Sequence, residues 1–231
     1  SLSGSAAPSV TSSTNAQTIN SAVTPVSTAP TVAKPAVISQ IVSPVVGQNV
    51  SAGCAGASTK CVPEEYPTIQ ACANVAEAGD TCLVSAGSYS EQVMTKKNGT
   101  SDSNRVTFKA NGRVVVNGFD IRNSYVTIDG FDITGPSANQ QYIGITKGGD
   151  YCKVINNTIH DGAKKVYGIN FYSSSSTGGV TGNYCLFKGN TLSRLNGNYV
   201  TTDGAGSRFE NNVFEEAGGW DLVRAFGQDH V

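Results

Sequence analysis

From Tyr125 onward the chain repeats a short alternation of apolar and polar positions. Tyr125-Val-Thr-Ile128-Asp-Gly-Phe-Asp-Ile133 returns as Tyr151-Cys-Lys-Val154-Ile-Asn-Asn157-Thr-Ile159 and as Tyr184-Cys-Leu-Phe187-Lys-Gly-Asn190-Thr-Leu192. A fourth copy is Ser207-Arg-Phe209-Glu-Asn-Asn212-Val-Phe214. The steps from Ile128 to Val154, Phe187 and Phe209 are 26, 33 and 22 residues. Steps of 22 residues reach Val231 in one direction and Val106 and Val84 in the other. A repeat of this length is the signature of a solenoid. A second apolar series, Phe119, Ile145, Val200 and Leu222, runs nine residues ahead of the first. Ile169 runs 18 ahead of Phe187, which places a nine-residue insertion around Ser173–Gly179. Ile133, Ile159, Leu192 and Phe214 form a third series.

Three short strands per coil predict an all-β, three-sided parallel β-helix of about seven coils, anchored at 84, 106, 128, 154, 187, 209 and 231. Coils this short leave no room for crossover helices, so a doubly wound sheet is excluded. The coils stack into parallel sheets ~4.8 Å apart, with the right hand expected of parallel connections. Alternation turns Cys152, Val154 and Ile159 inward and Lys153 outward. Asn157, Asn190 and Asn212 recur at one turn, where stacked amides can bond to the coils above and below. Their expected role is structural. Between Pro67 and Gly79, the residues Ile69, Cys72, Ala73 and Ala76 have helical spacing and predict a short helix capping the first coil.

Six cysteines without a CxxC pair, and only two histidines, argue against a zinc site. Proximity favours Cys54–Cys61 and Cys72–Cys82. Cys152 and Cys185 share one inward position on successive coils, as a disulfide or as a dry thiol ladder. The even count in a low-charge chain places the protein in an oxidising, extracellular or cell-surface setting. Charged residues make up 14% of the chain and the net charge is -1, so no field attracts nucleic acid or an anionic membrane, and no apolar run is long enough to span a bilayer.

Charge is also unevenly placed. Residues 1–59 hold a single charge, Lys34, together with 19 Ser or Thr and 5 Pro, while 60–231 form the β-helix domain. The early tract reads as a linker or Ser/Thr-rich stalk. Val37–Val50 is β-prone and apolar, either extended linker or a strand seeking a sheet edge in this domain or in another copy. With no initiator Met and no signal peptide, the chain reads as a processed product. Sequons stand at Asn49, Asn98 and Asn156.

Tyr66-Pro-Thr-Ile-Gln-Ala, Ala78-Gly-Asp-Thr-Cys-Leu-Val84, Ala86-Gly-Ser-Tyr89 and Ser124-Tyr-Val-Thr-Ile-Asp-Gly-Phe-Asp-Ile-Thr-Gly135 resemble the opening coils of right-handed β-helix proteins of the pectin-lyase-like superfamily. The resemblance covers roughly 60–231. That superfamily includes polysaccharide lyases, glycoside hydrolases, tailspikes and adhesins, so the resemblance implies a fold more than a function. Lyases of this type usually have more coils, and the chain stops at Val231 in mid-strand without a cap, so a missing continuation or a covering chain is expected.

A uronate lyase needs cations, Ca²⁺ or Arg/Lys, to neutralise the uronate, and a base whose pKa nearby positive charge depresses. The outward register offers Asp120, Lys147, Asn170, Tyr172, Thr201, Asp203, Asp221 and Arg224. Lys147, Lys165 and Arg224 are the catalytic candidates, Asp203 and Asp221 the candidate Ca²⁺ ligands, and Asn170, Tyr172 and Thr201 the candidate substrate contacts. The opposing reading is solvated surface charge, with Asp203-Gly204 as a turn and Arg224 as a buried structural arginine. Trp220, Tyr172, Tyr199 and Phe171 form a sugar platform or simply pack. His160 and His230 read as turn residues. Two functions remain: a secreted protein acting on or binding an acidic polysaccharide, or a non-catalytic filament subunit that pairs with copies of itself through the N-terminal tract and the open C-terminal coil.

Overall fold

The computed structural model describes residues 54, 56–136, 141–162, 167–171, 182–202, 204–216 and 222–225. The chain divides into two units, 1–46 and 47–231, and every described residue belongs to the second. The Val37–Val50 segment and the Ser173–Gly179 insertion lie outside the described residues.

The described residues of the second unit form a parallel β-solenoid with fifteen strands and one short helix among them. The order is β1 (Thr59–Val62), α1 (Ile69–Val75), β2 (Thr81–Met94), β3 (Val106–Ile121), β4 (Val126–Asp129), β5 (Asp132–Thr134), β6 (Ile143–Ile145), β7 (Lys153–Ile155), β8 (Thr158–His160) and β9 (Ile169–Phe171). Then come β10 (Leu186–Lys188), β11 (Thr191–Ser193), β12 (Val200–Thr202), β13 (Arg208–Glu210), β14 (Val213–Glu215) and β15 (Val223–Ala225). Each coil lays one strand segment on each of three faces. The first face runs β1–β2–β3–β4–β7–β10–β13, the second β2–β3–β5–β8–β11–β14, and the third β2–β3–β6–β9–β12–β15. β2 and β3 are long enough to run through all three faces, β2 with register shifts at Ser85/Gly87 and Tyr89/Gln92.

The repeat predicted from sequence is present, with corrections of register. Ile128, Val154, Phe187 and Phe209 stack as expected, but the residues beneath Ile128 are Phe108 and Cys82 rather than Val106 and Val84. The slip is two residues, so the same side chains still face inward. Corner length varies between coils, and a two-residue period cannot register that. On the third face Phe119 stacks with Ile143, Ile169, Val200 and Val223, not with Ile145 and Leu222. The solenoid makes about five turns rather than seven: five steps separate Cys82 from Phe209, and Val231 lies outside the described residues.

Packing is dense along the axis. Phe108, Phe119 and Phe131 form one chain of ring contacts, and Phe171, Phe187 and Phe209 another. Helix α1 closes the first coil as predicted, with Ile69, Cys72 and Ala73 buried. Thr68 accepts a hydrogen bond from the Ala71 amide, and the Glu91 carboxylate accepts from the Ile69 and Gln70 amides, so side chains satisfy the first turn. Disulfides join Cys54–Cys61, Cys72–Cys82 and Cys152–Cys185, the last with Cα atoms 4.6 Å apart. Three disulfides fit an extracellular protein. No described helix is long and apolar enough to cross a membrane.

The corners account for the Gly and Asn content. Each takes one residue in the left-handed region: Tyr125, Tyr151, Tyr184 and Gly206 before the first face; Gly130, Asn156, Gly189 and Asn211 before the second; Gly135, Asp161, Arg194 and Glu216 after it. Two side-chain ladders hold these corners. In the predicted one, the Asn190 Oδ1 accepts from the Asn157 amide (3.0 Å), the Asn212 Oδ1 accepts from the Asn190 amide (3.0 Å), and the Asn190 Nδ2 donates to Val154 O (2.8 Å). The second went unseen in the sequence. The Asn98 Oδ1 accepts from the Ser124 amide (3.0 Å), the Asp150 Oδ1 from the Asn183 amide (2.8 Å), and the Asn183 Oδ1 from the Ala205 amide (3.0 Å).

Candidate functional site

Strand pairing brings several of the predicted residues onto one line. On the third face, Met94, Asp120, Gly144, Asn170, Thr201 and Arg224 are successive partners across adjacent coils. Asp120 lies between the buried Phe119 and Ile121, Asn170 between Ile169 and Phe171, and Thr201 between Val200 and Thr202. Strand alternation therefore points Asp120, Asn170 and Thr201 away from the core, and each is partly exposed. Gly144 leaves the line without a side chain between Asp120 and Asn170.

The groups on this line carry unused hydrogen-bonding capacity. The Asp120 Oδ2 accepts from the Arg122 Nε (2.8 Å), while its Oδ1 is shielded and unpartnered. The Thr201 Oγ1 accepts from the Asn198 Nδ2 (3.4 Å), and the Asn198 Oδ1 has no partner although Asn198 is buried. Lys147 sits one turn beyond β6 with its side chain exposed. It is next to Gly148, whose left-handed backbone lies against the Arg122 carbonyl.

Lys165, Tyr172, Asp203 and Asp221 lie outside the described residues, as do Trp220 and His230; for Arg224 only the strand position is described. The carboxylate pair expected to hold Ca²⁺ is therefore outside them too. Among the described residues of the line, Asp120 alone carries a carboxylate and Arg122 engages one of its oxygens. No described group of three or more His, Cys, Asp or Glu could hold a metal.

Other candidates resolve differently. Tyr199 and Phe171 are core residues, 0% and 2% exposed, and the Tyr199 hydroxyl reaches Glu215 O (2.7 Å). They pack and offer no sugar platform. His160 is the last residue of β8 rather than part of a turn. Its Nε2 meets the Asp132 Oδ1 and its Nδ1 the Asp161 Oδ2, both at 2.6 Å. Arg113 pairs with Asp132 (2.8 Å) and Arg194 with Asp161 (2.5 Å), so a chain of alternating basic and acidic side chains climbs this corner. Arg194 foremost, then His160, draws the Asp161 carboxyl down to about 2. A carboxyl depressed on folding adds stability above its unfolded value near ~3.9 and loses it as the pH falls towards 2. Asp161→Asn should flatten the acid arm of melting temperature against pH in that window and lower the neutral-pH melting temperature by the same margin, a small one because the pair is exposed and solvent-screened.

Three stacked tyrosines, two of them exposed, also went unremarked in the sequence. Tyr125, Tyr151 and Tyr184 each open a repeat, three residues before the anchor. Their rings stack with centroids 4.8 and 5.2 Å apart. That recurrent spacing was the available signal.

Geometry and topology define a parallel β-solenoid carrying a polar line on its third face. Comparison with family models, with curated proteins and with solved structures returned no match.

Proposed function

We propose that this protein is a secreted, carbohydrate-active β-helix of the pectin-lyase-like kind, and that an acidic polysaccharide lies along the third face. The carrying observation is the line Asp120–Gly144–Asn170–Thr201–Arg224. Its groups repeat at the coil spacing of ~4.8 Å, close to the length of one sugar residue in an extended chain. A periodic ligand can then meet one polar group per residue. Asn170 and Thr201 supply donors and acceptors for hydroxyls, and Lys147 and Arg224 supply charge for carboxylates. In a lyase, those cations would neutralise the uronate and lower the pKa of its C5 proton, and Lys147, Lys165 or Arg224 would accept that proton.

Incubation with pectate, alginate and chondroitin, with and without Ca²⁺, tests catalysis through unsaturated uronate absorbance. Affinity electrophoresis on the same polymers tests binding. Asn170→Ala and Thr201→Val should each weaken binding about five- to tenfold, the loss of roughly one hydrogen bond of ~1 kcal/mol. The lack of both absorbance and retardation with every polymer would defeat the reading.

A second reading has its own observation. Among the described residues β13, β14 and β15 are paired on one side only, and Val213 and Val223 are 47% and 41% exposed there. Such an edge can accept a strand, and Val37–Val50 of another copy is the candidate. Sedimentation velocity over a concentration series separates this filament reading from the first.

A further inference from the structure

We infer that Tyr125, Tyr151 and Tyr184 form a site of oxidative coupling, at which neighbouring phenols join as dityrosine and staple adjacent coils. The three residues sit in the left-handed region (φ 54, 54 and 57), a conformation better suited to Gly or Asn, and the next coil does use Gly206. The backbone therefore does not call for tyrosine. The rings are nearly parallel, at 3° and 17°. Both ends of the stack are closed. The Arg105 guanidinium lies 5.7 Å from the Tyr125 ring, and a Cβ on Gly206 would fall 2.6 Å from the Tyr184 Cδ1. Tyr151 and Tyr184 remain 41% and 55% exposed, within reach of an oxidant. The Cys152–Cys185 disulfide fixes the backbone beside two of the rings, holding them at high effective concentration.

The oxidant is hydrogen peroxide acting through a haem peroxidase, a chemistry at home in the oxidising setting that the disulfides indicate. One peroxide takes a hydrogen atom from each of two phenols and leaves as two waters. The two phenoxyl radicals form one carbon–carbon bond through their ortho positions. The two ring hydrogens at that bond then shift to the oxygens, restoring both phenols. The net change is the loss of two hydrogens. Tyr142 and Tyr199 are buried and make internal controls.

The test treats the full chain, disulfides intact, with peroxidase and peroxide, followed by proteolysis and mass spectrometry. The expected product has monomer mass less two hydrogens and links Tyr151 to Tyr125 or to Tyr184. Tyr151→Phe keeps a stacking ring and should remove both links without lowering the melting temperature. Tyr184→Phe should leave only the Tyr125–Tyr151 link, a second readout should the first variant fold poorly. No dityrosine at all, unchanged yield in Tyr151→Phe, or links mapped mainly to Tyr66, Tyr89 or Tyr167 or between chains would overturn the inference.

Discussion

Asn190→Ala should cost about 3–5 kcal/mol of folding free energy, the largest loss expected from any single polar residue of the ladder. Asn190 is fully buried. Its Oδ1 accepts from both the amide and the Nδ2 of Asn157, and its Nδ2 donates to Val154 O and to the Asn212 Oδ1. Alanine strands a main-chain donor and a main-chain acceptor inside the corner, and each such group costs about 1–3 kcal/mol when left unmade. Natural domains hold only about 5–15 kcal/mol in reserve, so the variant should melt far below the parent. Asn212→Ala should cost less, about 1–3 kcal/mol, because its corner is half-exposed and water can replace the lost partner. Urea denaturation measures both. A loss under about 1 kcal/mol for Asn190→Ala would mean that backbone stacking alone holds the corner.

The same ladder shows why so much of the fold was legible and where legibility ended. Asn157, Asn190 and Asn212 recur beside an apolar anchor, so period and chemistry pointed to one structure. The third series, Ile133, Ile159, Leu192 and Phe214, stacks rung on rung as read. The second ladder failed to register because Ser124 interrupts it, its hydroxyl donating to Gly148 O, and because the accepting members, Asn98, Asp150 and Asn183, are of two residue types. They share only the ability to accept from the next coil's amide, and no residue-type pattern expresses that. Val84, Val106, Ile145 and Leu222 were misplaced by one or two residues because corners differ in length, and a corner is defined by its left-handed residue. That residue is Gly, Asn, Tyr, Asp, Arg or Glu at different coils. The candidate site was legible in part: Asp120, Asn170, Thr201 and Arg224 do share one line. What Lys147 contributes depends on the turn after β6, which strand alternation does not reach.

Arg105→Met should cost about 3–5 kcal/mol, although Arg105 has no counterpart in the repeat and lies in the irregular segment before β3. Its side chain is 8% exposed and touches three successive coils. From its own coil Asp102 approaches the Nη1 (2.9 Å). From the next, the Thr127 Oγ1 accepts from the Nε (2.7 Å) and Val126 O from the Nη2 (3.0 Å). From the one beyond, Tyr151 O accepts from the same Nη2. Burial pulls the guanidinium pKa down, and Asp102 opposes that pull. Methionine fills similar volume but leaves the buried Val126 carbonyl and Thr127 hydroxyl, and the partly buried Tyr151 carbonyl, without their donor. Lysine keeps the charge but not the planar fork that serves several acceptors at once, so Arg105→Lys should recover only part of the loss. Asp102→Asn separates the hydrogen-bonding role from simple ion pairing. Asp102 is 73% exposed and also holds Lys153, so removing its charge should cost no more than about 1 kcal/mol. Equal losses for Asp102→Asn and Arg105→Met would show that the ion pair, rather than the carbonyls of two further coils, is what Arg105 is there to satisfy. The expected inequality instead makes Arg105 a cross-coil clamp, doing at an irregular position what the asparagine ladder does at a repeating one.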